Sequence, residues 1–170
     1  VVGYIDNNDS TQNSSKKYIV LSGHFDHLGK KGNSIYYGAD DNGSGCSAIV
    51  VMAKYLGELA KNNVLNKRII VAFMTGEEMG LIGSQYFTTS EFFIFNKFEC
   101  NVNIDMIGRF DKKHEESKNP YIYVIGADRI SKDLDSVISK TNARYNHLDL
   151  DYRLNALDDP ERLYERSDHF

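Results

Sequence analysis

Four short polar motifs, each placed just after an apolar stretch, contain the residues of this chain that could do chemistry. They are GHFD at 23–26, GADDNG at 38–43, TGEE at 75–78 and NIDM at 103–106. Imidazole and carboxylate groups are ligands of zinc, manganese and cobalt, whereas an all-oxygen calcium or magnesium site would not need a histidine. A further carboxylate beside such ligands can take a proton from a metal-activated water. The motifs together predict a metal centre that assists hydrolysis.

Each motif taken alone also has an ordinary structural explanation. His24 could be a loop histidine beside a capping aspartate, and the segment 38–45 could cap the helix that follows it. Glu77 and Glu78 could form the solvated end of a strand. Adjacent carboxylates nevertheless repel one another, and a buried, unpaired Asp105 would cost on the order of several kcal/mol. The convergence of four strand ends therefore favours the metal centre.

Four apolar stretches predict strands, and the first three of them lead into the motifs GHFD, TGEE and NIDM. Rich in β-branched and other apolar side chains, these stretches are residues 17–22, 68–74, 98–104 and 121–125. Apolar residues three and four positions apart predict an amphipathic helix over 44–62. Shorter helices are predicted over 80–87 and 131–143. Strands and helices thus alternate along the chain.

That alternation predicts the fold class and the place of the site. It indicates an α/β protein with a mostly parallel sheet and right-handed crossovers. Ligands of such sheets bind beyond the carboxyl ends of the strands, which is where the polar motifs fall. A length of 170 residues with 41% hydrophobic and 26% charged residues is ordinary for a globular protein, so 1–170 is predicted to be one catalytic domain.

Composition argues against several other classes of protein. The net charge of −4 and the pI near 5.7 leave no basic footprint for nucleic acid. No apolar run approaches the roughly 18 to 20 residues that a membrane-spanning helix needs. Cys46 and Cys100 are too few for a disulfide framework and are expected to be buried free thiols.

The motifs, taken in order, resemble those of the co-catalytic zinc aminopeptidases of metallopeptidase family M28, relatives of bacterial leucyl aminopeptidases. The resemblance is carried by SGHFDHLG, YYGADDNGSG, VAFMTGEEMGLIGSQYF, NIDMIGR and YERSDHF. It implies a three-layer fold of the zinc exopeptidase type, with a mixed, mostly parallel sheet between helices. It also implies hydrolysis of N-terminal residues from peptides, two zinc ions per full-length domain, and a secreted, periplasmic or cell-envelope location.

The resemblance also implies metal-site roles for individual residues. His24 and Asp105 would hold one zinc ion, Glu78 would hold the second, and Asp41 would bridge the two. Glu77, the neighbour of Glu78, would be the general base.

Further roles follow from the same resemblance. Asp26 would be the carboxylate that orients the His24 ring. Tyr164 would bind the substrate carbonyl and its developing oxyanion. Met106 and Ile107 would line the pocket for the N-terminal side chain of the peptide. The peptide bond between residues 41 and 42 is predicted to be cis.

The family pattern is matched only in part. Its last zinc ligand is a histidine well after the segment SDHF, where this chain has reached Phe170. The expectation is therefore that the chain is truncated, lacks the last strand and helix, binds one zinc ion or none, and is unstable or inactive. His169 is available by spacing as a substitute imidazole, but the resemblance places it in a structural turn.

Two alternative functions remain open at this stage. One is a glutaminyl cyclase, a relative with a single zinc ion that performs intramolecular acyl transfer. The presence of His24 and of the complete GADDNGSG segment argues against it, because cyclases lose the first metal site. The other is a degenerate, non-catalytic metal-binding remnant, against which Glu77 argues because it has no obvious structural use.

Overall fold

A mixed four-stranded sheet organises the first 108 residues. The computed structural model describes residues 1–8, 16–91, 97–115 and 119–170, which divide into two compact units, Val1–Gly108 and Arg109–Phe170. In chain order, the elements of the first unit are β1 (Val2–Ile5), β2 (Tyr18–His24), β3 (Gly29–Lys31), β4 (Ser34–Tyr36), α1 (Gly43–Lys61), β5 (Arg68–Met74), α2 (Ile82–Thr89) and β6 (Phe98–Asn103).

The strand order of this sheet places the polar motifs side by side. The order is β1-β5-β2-β6, with β2 parallel to both of its neighbours and β1 antiparallel to β5. His24 is level with Met74 on β5, and Ser22 is level with Asn103 on β6. The carboxyl ends of β2, β5 and β6 therefore meet at one edge, as the alternation of strands and helices predicts.

Both faces of the sheet are covered by apolar side chains. On one face Leu21 and Val71 pack with the fully buried Ile49 of α1. On the other face Val20 and Ala72 form a second cluster, which Phe87 of α2 joins. Because consecutive strand residues point to opposite faces, the continuous apolar run 68–74 supplies both clusters. Helix, sheet and helix thus form the three layers that the fold prediction describes.

Asn42 fixes the start of α1 beside the end of β6. Its side-chain oxygen accepts a hydrogen bond from the Gly45 backbone N–H at 3.0 Å, which caps the helix. Its side-chain nitrogen donates to the backbone carbonyl of Ile104 at 2.8 Å. The residue is 2% exposed, so both bonds lie away from solvent. The peptide bond between Asp41 and Asn42 is cis, which confirms that prediction.

The second unit has its own small parallel sheet and helices. Its elements are β7 (Tyr121–Tyr123), α3 (Ala127–Ile130), α4 (Lys132–Thr141), a π-helical turn (Asn142–Asn146), β8 (Asp149–Asp151) and two 3-10 turns (Arg153–Asn155 and Leu163–Glu165). β7 pairs with β8 in parallel.

A buried histidine anchors this unit. His114 lies between Asp111, 2.7 Å from its Nδ1, and Asp151, 3.1 Å from its Nε2. Its ring stacks on Tyr121 with centroids 3.5 Å apart. Carboxylates and an aromatic ring thus surround the imidazole.

Several element boundaries differ from their predictions for local reasons. The strand predicted over 121–125 ends at Tyr123, because the chain then turns at Gly126, which has a φ of 87° and is the N-cap residue of α3. The helix predicted to begin at Gly80 begins at Ile82, after a turn in which Leu81 has a φ of 60°. Both cysteines are free, as predicted, but they are only half-buried. Among the described residues, no helix is both long and apolar enough to cross a bilayer.

Candidate metal centre

His24 is the centre around which the carboxylates of the first unit gather. It ends β2, and its side chain is 1% exposed. Its Nε2 lies 3.1 Å from Asp41 Oδ1, 3.5 Å from Asp105 Oδ1 and 4.0 Å from Glu77 Oε2. These three carboxylates come from the loop before α1, the end of β5 and the end of β6. The parallel strand order thus brings together residues that are far apart in sequence.

The opposite nitrogen of His24 fixes the ring. Nδ1 lies 3.0 Å from the backbone carbonyl oxygen of Asp26. Because a carbonyl oxygen only accepts hydrogen bonds, Nδ1 carries the proton of the neutral ring. Nε2 then presents its lone pair to the carboxylates, an arrangement that a cation or a second proton must stabilise.

The carboxylate of Asp26 forms its hydrogen bonds with the turn after β5. It lies 3.8 Å from His24 Nδ1, farther than the residue's own carbonyl oxygen. Its two oxygens instead accept hydrogen bonds from the backbone N–H groups of Glu77, at 3.3 Å, and Glu78, at 3.4 Å. Asp26 therefore positions the two glutamates, while its backbone orients the histidine.

The pKa values of the cluster reflect its excess of negative charge. Burial alone would lower the pKa of His24, but the contact with Asp105 and the charges of Asp105 and Glu77 raise it to about 9. Burial raises the pKa of Asp41, and the neighbouring carboxylates of Asp105 and Glu78 raise it further. Both shifts mean that the cluster stabilises a positive charge at its centre.

A second histidine, His27, stands beside this cluster. Its Nδ1 lies 2.7 Å from Glu78 Oε1 and 3.7 Å from Asp41 Oδ2. Sequence reasoning did not single it out, although it lies within the motif SGHFDHLG. Its spacing from His24 does not identify it as a site residue, because its ring faces Glu78 only through the folded conformation of the loop after β2.

The donor atoms fall into two neighbouring groups of three residues each. His24, Glu77 and Asp105 form one group, and His27, Asp41 and Glu78 form the other. Within each group, one donor atom per residue lies within 4.8 Å of the others. One imidazole with two carboxylates is a donor set that suits zinc. The residues present therefore fit the metal that the motifs imply.

The family profile agrees with this geometry. The profile of peptidase family M28 matches residues 1–170. The chain belongs to peptidase family M28.

Individual M28 relatives match smaller parts of this chain. A probable leucine aminopeptidase 2 of Arthroderma benhamiae is 39% identical over 72 residues, which are 42% of this chain and 14% of that relative. A vacuolar membrane protease of Kluyveromyces lactis is 32% identical over 84 residues, which are 49% of this chain and 8% of that protein. The chain therefore spans a small part of the length of these curated relatives.

Solved structures confirm the M28 type of fold. The chain is similar to LapA of Legionella pneumophila, with a TM-score of 0.67, 26% identity, and coverage of 99% of this chain and 40% of LapA. A further structure of that protein is described as an aminopeptidase. The strand order and the layers of the first unit are thus those of an M28 α/β fold.

The remaining predicted site residues of this M28 chain lie at the rim or in the second unit. Met106 and Ile107 follow the end of β6 and are about half exposed. The Met106 N–H donates to Asn42 Oδ1 at 3.4 Å. Tyr164 belongs to the second unit, where the Arg129 guanidinium lies 4.3 Å from its ring centre. The roles of Met106, Ile107 and Tyr164 with substrate stay predictions.

His169 also belongs to the second unit. Its ring lies 5.6 Å from that of Tyr164, at an interplanar angle of 64°. Within this unit His169 therefore packs edge-on against Tyr164.

Proposed function

We propose that this chain forms the catalytic part of a zinc-dependent aminopeptidase, which hydrolyses N-terminal residues from peptides. The observation that carries the proposal is the buried meeting of His24 with Asp41, Asp105 and Glu77 at the carboxyl ends of parallel strands. Family membership and the likeness to leucine aminopeptidases support it. We also propose, from the family resemblance alone, that the protein acts outside the cytoplasm.

In this proposal, His24 and Asp105 would hold one zinc ion and Glu78 would hold the second. When bound, zinc supplies Lewis acidity and lowers the pKa of a coordinated water. Asp41 is suited to join both positions, because its Oδ1 faces His24 and its Oδ2 faces His27. The two oxygens of one carboxylate thus point to different histidines.

In the proposed reaction Glu77 would be the general base, which accepts a proton from the attacking water. Its side chain is 10% exposed and its Oε2 lies 4.0 Å from His24 Nε2, so it borders the metal ligands. The backbone N–H groups of Glu77 and Glu78 both bond to Asp26, which fixes the turn that carries the two side chains. Adjacent residues point in different directions, and this separates a proton acceptor from a metal ligand.

Substrate binding in this proposal uses residues at the end of β6. Met106 and Ile107 present apolar side chains to solvent. They are suited to contact an apolar side chain at the peptide N-terminus. A leucyl arylamide is therefore a suitable first substrate.

The test of the proposal is Glu77→Gln in the zinc-loaded protein. Loss of the base should reduce leucyl-arylamide turnover about a hundredfold to ten-thousandfold while zinc content stays unchanged. Glu78→Gln should reduce zinc content as well, and Glu58→Gln, on the exposed face of α1, should change neither quantity. Turnover by Glu77→Gln close to that of the parent protein, or no zinc-dependent hydrolysis by the parent, would falsify the proposal.

The cyclase alternative differs in its substrate. The chain resembles a glutaminyl cyclase of Porphyromonas gingivalis with a TM-score of 0.58 and 19% identity, over 84% of this chain and 50% of that one. This likeness reflects the shared fold. Assay of a peptide with N-terminal glutamine separates the two functions, because a cyclase releases ammonia and an aminopeptidase releases free glutamine.

A further inference from the structure

His27 is not part of either apolar cluster of the sheet. It follows β2 by three residues, and its side chain is 20% exposed. The ring is turned toward Glu78 and Asp41, with Nδ1 2.7 Å and 3.7 Å from their oxygens. The imidazole therefore faces the acidic cluster.

The surrounding backbone is shaped to admit this side chain. Gly38 has a φ of 65°, and a Cβ at that position would lie 2.8 Å from the Cβ of His27. A residue other than glycine there would strain the backbone and displace the histidine. Tyr36 of β4 adds an edge contact, with ring centres 6.4 Å apart. The β3–β4 hairpin and the glycine after it thus hold His27 in place.

The short contact between His27 and Glu78 is not a hydrogen bond. Both His27 Nδ1 and Glu78 Oε1 are buried, and neither has a hydrogen-bond partner in the described part of the chain. The carboxylate oxygen lies to the side of the ring nitrogen's donor direction despite the distance of 2.7 Å. Two ligands of one tetrahedral zinc ion also lie side by side without a hydrogen bond between them, roughly 3 to 4 Å apart, so this 2.7 Å pair would have to separate slightly to hold an ion.

We propose that His27 is a metal ligand, and that its Nδ1 completes a second metal position with Asp41 and Glu78. The chain then has a three-residue site of its own beside the position of His24 and Asp105. This differs from the expectation that a histidine beyond Phe170 is needed for the second ion. The inference rests on the proposed metal centre but does not depend on catalysis.

Metal stoichiometry tests the proposal directly. The metal-free chain is titrated with Co²⁺ and with Zn²⁺, and the bound ions are counted by elemental analysis after buffer exchange. We expect two ions for the parent chain and one for His27→Ala, with the dissociation constant of the lost ion raised at least tenfold to a hundredfold. His147→Asn is the matched control, because His147 is an exposed residue of the second unit and asparagine tolerates its φ of 56°.

A measurement on the parent chain guards against a variant that merely misfolds. The ¹⁵N signal of His27 Nδ1, read from histidine side-chain correlation spectra, should move to the position of a metal-bound nitrogen when the second equivalent of Zn²⁺ is added. An unmoved His27 signal would overturn the inference. Two ions bound by His27→Ala with parent affinities would overturn it as well.

Failure of this inference can be separated from failure of the proposed function. If His24→Ala abolishes metal binding and hydrolysis while His27→Ala leaves both intact, His27 is no ligand and the proposed function stands. If the parent chain binds neither Co²⁺ nor Zn²⁺, both proposals fail.

Discussion

At the residue scale, the main chain and the side chain of Asp26 divide two tasks. Its carbonyl oxygen holds the Nδ1–H of His24, and its carboxylate holds the backbone N–H groups of Glu77 and Glu78. A metal-ligating histidine needs its second nitrogen bonded so that the correct tautomer faces the metal. Here the main chain meets that need, so the His24 tautomer survives side-chain changes at position 26.

Replacement of Asp26 should therefore act through the glutamates. In Asp26→Ala the two backbone N–H groups lose their acceptor, and zinc affinity should fall about tenfold to a hundredfold through the position of Glu78. Calorimetric zinc titration measures this effect. In the zinc-loaded variant the ¹⁵N signals of His24 should still show a protonated Nδ1, as in the parent, and loss of that pattern would contradict this division of tasks.

At the element scale, the site depends on how α1 meets β6. Asn42 caps the helix through Gly45 and bonds to Ile104 at the end of β6, so one side chain joins the segments that carry Asp41 and Asp105. Gly45 makes this approach possible, because a Cβ there would lie 2.3 Å from the Ile104 carbonyl oxygen. The distance between the two carboxylates is thus set by the packing of a helix against a strand end.

Asn42→Ala should damage both stability and metal binding. The loss of a helix cap and of a buried carbonyl's partner should lower the free energy of unfolding by about 2 to 4 kcal/mol. Urea unfolding of the metal-free protein measures this change, with Asn62→Ala at the exposed C-terminal end of the same helix as the control. If Asn42→Ala lowered the free energy of unfolding no more than Asn62→Ala does, the hydrogen bonds of Asn42 to Gly45 and Ile104 would not be needed for stability.

The elements were more predictable from sequence than the site. The apolar run of β5 matches its predicted bounds at Arg68 and Met74, because a strand buried on both faces must be apolar throughout. The motifs after such strands could be placed at one sheet edge for the same reason. His27 could not be found in this way, since its approach to Glu78 depends on the hairpin and on the conformation of Gly38.

At the scale of the whole molecule, the two units have separate electrostatic centres. The first unit gathers carboxylates around His24, and the second gathers them around His114. In the second unit the hydroxyl of Tyr123 donates to Asp111 Oδ2 at 2.5 Å. This hydrogen bond, together with the contact to His114, overcomes the opposing effect of burial and lowers the pKa of Asp111 to about 2.

The lowered pKa predicts how stability depends on pH. An aspartate with a lower pKa in the folded state stabilises the fold above its unfolded pKa, near 3.9, and this contribution is lost as pH falls through about 2. The unfolding temperature of the parent chain should therefore exceed that of Asp111→Asn at pH 5 and above, and the difference should shrink toward pH 2. Thermal unfolding at several pH values provides the measurement, and a difference that grows toward low pH would refute the prediction.

The strand order has a consequence for biosynthesis. β1, β5 and β2 are all encoded before residue 75, whereas β6, at one edge of the described sheet, comes later in the chain. A nascent chain that has emerged from the ribosome as far as α2 already exposes His27, Asp41 and Glu78, whereas Asp105 has not yet emerged. The order of translation therefore allows the two metal positions to be completed in succession rather than together.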